Sequence, residues 1–243
     1  MPIRAHTLEH YPHFVEAVKA LNRRSWPEFL CHGHMPSWDR IYDELPDFVI
    51  LLIDADDQLA GAGYTIPANW SGRIEDLPDT IETIIAEGLR MNGKSPNALI
   101  AVAALVDGRF RGQHLSAEVL TRMKQLARKH AFQDLLVPVR PTWKPRYPLQ
   151  SISSYADWRR DDGLYVDPWL RTHQRLGASI LTCVDSTLTV KGTIEEWQTW
   201  TGMVFPESGQ YIVDGALQPV VINVEDDIGI YNDPNVWMRH QID

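Results

Sequence analysis

The sequence predicts an α/β protein built on a mixed central sheet with flanking helices, and three stretches carry that prediction. The apolar run Ala98–Val106, rich in small residues, reads as a strand covered on both faces. A turn, an amphipathic helix over 114–130 and a second apolar strand over 134–140 follow it. A strand–turn–helix–strand unit returns the chain in the same direction, so the two strands form a parallel pair. Upstream, 47–53 and 58–66 flank the turn Asp54-Ala55-Asp56-Asp57 and read as an antiparallel hairpin.

The remaining elements follow in chain order. Tyr11, Phe14, Val15, Val18 and Leu21 recur at helical spacing, which predicts a helix over 7–22 with Thr7 as its N-cap. Pro27, Gly33 and Pro36 mark a loop, and a short helix is expected over 38–45. Gly61 and Gly63 lie inside the return strand of the hairpin, where glycine signals close approach of a neighbour. A loop over 67–80 leads to a helix over 80–90. On the 114–130 helix, Leu115, Val119, Met123 and Leu126 line one face, and Glu118 precedes Arg122 by four residues. Past Arg140 come a helix over 168–176, strands over 179–184 and 187–190, a helix start over 193–200, and strands over 210–213 and 220–224. Asp167 is placed to cap the 168–176 helix, with Pro168 at its first position and Gly177 just past its end. Six of the nine tryptophans fall in this second half. No linker is visible, so one domain over 1–243 with an elaborated C-terminal half is expected.

Bulk properties narrow the function. The 243 residues carry a formal net charge of −9, which argues against general nucleic-acid binding because a phosphate polyanion is repelled. Two cysteines make no disulfide framework and fit a reducing cytoplasm. No apolar run is long enough to span a membrane, and the first residues lack the apolar core of a signal peptide. Cys31-His32-Gly33-His34 matches no zinc spacing, so no metal is expected.

The turn between strand and helix is the chemical feature. The first N–H groups of a helix have no intrahelical partner, and the helix dipole adds partial positive charge. Together they form an anion site. Arg109 and Arg111 can add full charge, and Gly112 allows close backbone approach. An ordinary strand-to-helix turn with solvated arginines is the alternative reading of the same residues.

Strand, Arg111-Gly112-Gln113-His114-Leu115-Ser116, then an amphipathic helix, resembles the acyl-CoA signature of the GNAT superfamily. Arg111 matches its first position, while His114 and Ser116 stand where small residues are usual. The resemblance implies a GNAT fold whose parallel strands splay apart, consistent with Pro138, which cannot donate to a ladder. An edge strand would also accommodate Pro138. It further implies that Leu105, Val106, Arg111, Gly112, Gln113, His114, Leu115 and Ser116 bind the cofactor portion of acyl-CoA.

Longer phrases resemble a narrower group, the GNAT-like domains of polyketide synthase loading modules and their free-standing relatives. Among them are Val137-Pro138-Val139-Arg140-Pro141-Thr142, Asp167-Pro168-Trp169-Leu170-Arg171-Thr172-His173 and Trp200-Thr201-Gly202-Met203. That resemblance implies decarboxylation of a malonyl-type thioester, acyl transfer to a carrier-protein thiol, or both. It implies Thr142 and His173 as the catalytic pair and Trp70 as a substrate-lining residue, with malonyl-CoA or acetyl-CoA as substrate. Where the group carries an arginine ahead of Gly192-Thr193, this sequence carries Thr189. His173 shares a helix face with Trp169 and Leu176, so a core histidine is the structural alternative. Two other functions remain open on the residues. One is an N-acetyltransferase acting on a small amine, with Tyr147, Tyr155 or Tyr165 as acid and Glu207 or His173 as base. The other is an acyl-CoA binding module without turnover.

Overall fold

The computed structural model describes residues 3–91 and 95–242. Its centre is a nine-stranded mixed sheet. Strands β1 (Arg4–Thr7), β2 (Val49–Ile53), β3 (Leu59–Ala68) and β4 (Ala98–Val106) form consecutive antiparallel pairs. β5 (Asp134–Val139) lies parallel to β4. β6 (Ser179–Gly192), β7 (Gly209–Tyr211), β8 (Val220–Asn223) and β9 (Ile228–Gln241) complete the sheet, and β9 pairs with β5, β6 and β8.

Helices cover both faces. Helices α1 (Val15–Ser25), α2 (Arg40–Glu44) and α3 (Ile81–Leu89) bury Val18, Leu21, Ile41 and Ile85 against Leu51, Tyr64, Ile66 and Trp237. On the other face, α4 (Leu115–Lys129), α5 (Ile152–Ala156) and α6 (Pro168–Arg175) bury Val119, Met123, Ile152 and Leu170 against Leu52, Leu99, Leu135 and Met238. Each such side chain contributes about 1.5–3 kcal/mol on leaving water. A third cluster joins Phe29, Tyr231 and Trp197 of α7 (Ile194–Thr201), whose Thr193 and Glu196 form a capping box.

Residues 7–22 depart from the expected helix. Thr7 closes β1, whose residues pair with the free edge of β2 from Arg4↔Ile53 to Thr7↔Ile50. Pro12 opens a short 3₁₀ turn, and α1 begins only at Val15. The two strands expected over 179–190 are one strand with register shifts at Ile180/Thr182 and Val184/Leu188. β9 has no counterpart in the sequence reading, because Asn232-Asp233-Pro234-Asn235 reads as a turn. The ladder accommodates Pro234 by a gap: the shift in β6 lies opposite it, and pairing with β5 starts only at Val236.

Gly61 and Gly63 have the role their position suggests. A Cβ on Gly63 would sit 2.7 Å from Val119 Cγ1 and 2.8 Å from Met123 Cε, and one on Gly61 would sit 2.8 Å from the Leu105 carbonyl oxygen. The missing side chain of Gly63 lets α4 approach the sheet, and that of Gly61 leaves room for the backbone of β4. Gly63→Val is therefore expected to lower stability by roughly 1–3 kcal/mol, read as a shifted urea midpoint with unchanged slope.

Candidate active site

The site begins where two parallel strands part. β4 and β5 pair only from Ala98↔Asp134 to Ile100↔Leu136. Beyond that point β4 stays on β3 as far as Val106, and β5 stays on β9 as far as Val139. Pro138 has no N–H to offer across the gap. Opposite it, the β3–β4 register slips between Tyr64↔Ala103 and Thr65↔Ala101, which leaves Val102 as a bulge. A groove of about 640 Å³ opens in the gap, walled by 101–106 of β4, 137–139 of β5 with Arg140 just past it, Leu120 and Met123 of α4, and Trp169 and His173 of α6.

At one end of the groove stands the start of α4. Its N-cap is His114, in the left-handed region at φ 60°, preceded by Gly112 at φ 80°. His114 makes no side-chain cap, so the N–H groups of Leu115 and Ser116 have neither a capping oxygen nor an intrahelical acceptor. Arg111, Ser116 and Gly108 line the groove here. Arg109 is turned aside: its guanidinium bonds Asp107 at 3.0 and 3.1 Å. That contact, with Arg24 as a second partner, holds the Asp107 carboxyl well below the usual carboxylate range. Arg24 reaches the groove from α1, 87 positions upstream of Arg111, and nothing in the local sequence marks it.

At the other end, one buried carboxylate fixes both catalytic candidates. Asp167 Oδ1 accepts the N–H groups of Trp169 and Leu170, capping α6. Its Oδ2 accepts the Trp143 N–H at 2.7 Å and the Tyr155 hydroxyl at 2.9 Å. The residue after Thr142 is thus tied to the helix that carries His173, and both Thr142 and His173 line the groove.

His173 is fully buried. Its Nδ1 lies 3.0 Å from Nε2 of His240, and its Nε2 has no hydrogen-bond partner among the described residues. The Trp169 ring meets it edge-on at 4.4 Å. Burial, with a smaller contribution from His240, pushes the His173 pKa well below 6.5, so the ring is a neutral imidazole at neutral pH.

A second cleft of about 510 Å³ opens from the gap and shares Trp26, Val102, Pro138 and Arg140 with the first. Aromatic Trp38 and Tyr42, acidic Glu16 and Asp39, and basic Lys19 and Arg23 line it. Arg140 is committed to Asp233 at 3.0 and 3.1 Å and to the Gly215 carbonyl at 2.7 Å. Burial opposes its charge, but Asp233 and Tyr231 together outweigh that and raise its pKa. Tyr231 and Asn235 also donate to Asp233, so this wall is a fully bonded polar network.

The residues expected to bind cofactor divide. Leu105, Val106, Arg111 and Ser116 line the groove. Gly112, Gln113 and His114 are exposed on the turn outside that lining, and the Leu115 side chain is buried under α4, leaving only its backbone at the helix start. Trp70 lies elsewhere. Asn97 clamps its backbone with two hydrogen bonds, its Nε1 donates to the Arg73 carbonyl, and it borders a small cavity of about 30 Å³ with Ile84 and Leu136. That position is below the point where the strands part, so Trp70 faces neither cleft. Tyr147, Tyr155 and Tyr165 line neither cleft, and Glu207 is exposed beside β7. Thr189 bonds Asn232 Oδ1 at 2.7 Å, outside both linings. His32 bonds Glu28 at 3.1 Å and stacks on Trp200, and among the described residues no group of three His, Cys, Asp or Glu converges as metal ligands.

Two solved structures are similar to this chain in fold. The loading GNATL domain of CurA from Lyngbya majuscula superposes with a TM-score of 0.60 at 16% identity, covering 99% of this chain and 97% of that one. The GphF GNAT-like decarboxylase in complex with isobutyryl-CoA gives a TM-score of 0.63 at 18% identity, with both chains covered completely. The chain therefore has the GNAT fold. In sequence it is 27% identical over 251 aligned residues to the arginine N-acetyltransferase avaD of Aspergillus versicolor, spanning 89% of this chain and 85% of that protein. No family model matches the chain.

Two measurements test the local physics. Asp167→Ala removes the cap and leaves buried donors unpaired, and is expected to cost about 2–4 kcal/mol by chemical denaturation. His173 and His240 are held neutral by burial, with His240 pushed down to about 4. Because the unfolded chain binds protons first, below about pH 6.5, stability is full above that pH and falls as pH drops toward 4. A His173→Leu/His240→Leu variant is expected to lose most of that acid-limb slope.

Proposed function

We propose that the protein is an acyl-CoA-dependent acyltransferase that passes an acyl group from a coenzyme A thioester to a small charged amine. The observation that carries this reading is the meeting of two clefts at the parted strands, with Val102 and Pro138 in the wall of both. One cleft has an anion site at its end and an apolar wall, as a diphosphate and pantetheine arm require. The other carries both signs of charge and aromatic faces, as an amine with a second charged group requires. An arginine N-acetyltransferase among the relatives supports the same acceptor chemistry for this chain.

In this reading Leu115 and Ser116 N–H groups, with Arg111, hold the diphosphate. The thioester lies beside Thr142, whose hydroxyl donates to the carbonyl oxygen as negative charge builds there. The ammonium group first gives one proton to solvent, and the neutral amine nitrogen bonds to the acyl carbon. His173 Nε2 takes the second proton from that nitrogen as the carbon–sulfur bond breaks, and the imidazolium passes it to the departing thiolate, leaving an amide and the CoA thiol. A lowered imidazole pKa makes His173 a weak base that is fully available at neutral pH.

Decarboxylation of a malonyl-type thioester is the second reading. Thr142 and His173 lining one groove favours it, as does likeness to a GNAT-like decarboxylase. There the same hydroxyl would stabilise the enolate left by loss of CO₂. Against it stands Thr189, bonded to Asn232 outside the groove where the resembling group carries an arginine. A carrier-protein thiol is then the acceptor.

The test is product analysis by mass. Acetyl-CoA is supplied with arginine and a panel of amines, and malonyl-CoA is supplied alone and with a carrier protein. Acylated amine is expected. Acetyl-CoA from malonyl-CoA with no acylated amine would overturn the first reading in favour of the second. Thr142→Val and His173→Ala are expected to lose roughly 10²-fold or more in turnover with CoA affinity retained. Arg111→Ala is expected to weaken CoA binding with a smaller salt dependence.

A further inference from the structure

The polar contact of His173 inside the fold is with another histidine. His240 lies near the C-terminal end of β9, pairs with Leu135 of β5, and is fully buried. Its Nε2 faces Nδ1 of His173 at 3.0 Å across the α6–sheet interface. Two neutral imidazoles at that distance share one proton, and where it sits decides the chemistry of the far nitrogen. If His173 Nδ1 carries it, His173 Nε2 is a lone pair and can act as a base. If His240 Nε2 carries it, His173 Nε2 is an N–H and can only donate.

The surroundings of His240 favour the first arrangement. The Leu176 carbonyl, just past α6, favours a proton on the His240 ring, although His240 Nδ1 completes no hydrogen bond among the described residues. With Nδ1 of His240 protonated toward that carbonyl, Nε2 is left as the acceptor. Lys124 of α4, which donates to the same carbonyl at 2.7 Å, is the charge facing the pair, and it disfavours a second proton on His240. Arg239 and Asp134 bond each other at 2.6 Å, and Arg239 lies over the Trp70 ring on the α3 side of the sheet, away from the pair.

We infer that His240 is a positioning residue: its Nε2 accepts the Nδ1–H of His173, fixing that ring's orientation and leaving Nε2 unprotonated toward the thioester. This rests on the acyl-transfer reading for its purpose, but the tautomer itself is a property of the resting protein. It assigns to β9 a part in the site that no residue of the strand–turn–helix signature shares.

The test has two arms. Ring ¹⁵N shifts of histidine-labelled protein, with His173 assigned by its loss in His173→Ala, are expected to show Nδ1 protonated and Nε2 bare at neutral pH. A proton on Nε2 would overturn the inference whether or not any acyl transfer is found. In the kinetic arm, His240→Phe keeps the ring volume but removes the acceptor. It is expected to lower kcat by about tenfold or more with the KM for acetyl-CoA within about twofold. His240→Gln can accept the Nδ1–H through its side-chain oxygen while its amide faces Leu176, and is expected to recover most of kcat. Equal losses in both variants, or none in either, would contradict the role. Absence of turnover in the wild-type protein would reject the acyl-transfer reading and leave the tautomer to be judged by the ¹⁵N shifts.

Discussion

The parting of β4 from β5 after Ile100 and Leu136 is the constraint on which the rest of the molecule depends. A parallel pair held together by three residue pairs and then forced open exposes backbone groups that a continuous sheet would satisfy internally. The cost is tolerable because each strand keeps a partner on its outer edge, β3 for one and β9 for the other. Pro138 removes one donor from the open edge, and the Val102 bulge re-aims the facing strand. What results is a gap in the sheet at which the two clefts meet, with Val102 and Pro138 in the wall of both.

Around that slot the chain spends its buried polar groups on position. Asp167 ties the loop holding Thr142 to the helix holding His173. The Arg140–Asp233 network closes the end of β5 against β9 between the clefts. Each is fully partnered, as buried charge must be if it is not to destabilise the fold. Among the described residues four buried side-chain nitrogens have no partner, on His6, His173, Trp197 and His240, and of these residues only His173 lines the groove.

Much of this was legible in the residues. Small apolar side chains over Ala98–Val106, helical spacing after Gly112, and the Asp167-Pro168…Gly177 punctuation each have one strong physical interpretation, and the elements stand where those signals place them. The start of the chain departs from the expected helix because a 3.6-residue apolar period across Tyr11–Leu21 continues through a 3₁₀ turn, while the short strand before it is held only by a distant edge. β9 is masked in the sequence by Asn232-Asp233-Pro234-Asn235, of which the ladder with β6 skips only Pro234. The long phrases in the second half pointed to Thr142 and His173, and both reach the groove. Trp70 shows the limit of a short phrase: it is held by Asn97, a partner that only the folded chain brings near. Arg24 and His240 carry no local signal, since their neighbours in space lie 83 and 67 positions away in sequence.

The most direct test of the central claim is a crystal structure of the protein with acetyl-CoA bound. The account predicts the diphosphate on the N–H groups of Leu115 and Ser116, the pantetheine arm between β4 and β5, and the thioester in contact with Thr142 and His173. A cofactor bound elsewhere, or a thioester distant from both side chains, would contradict it.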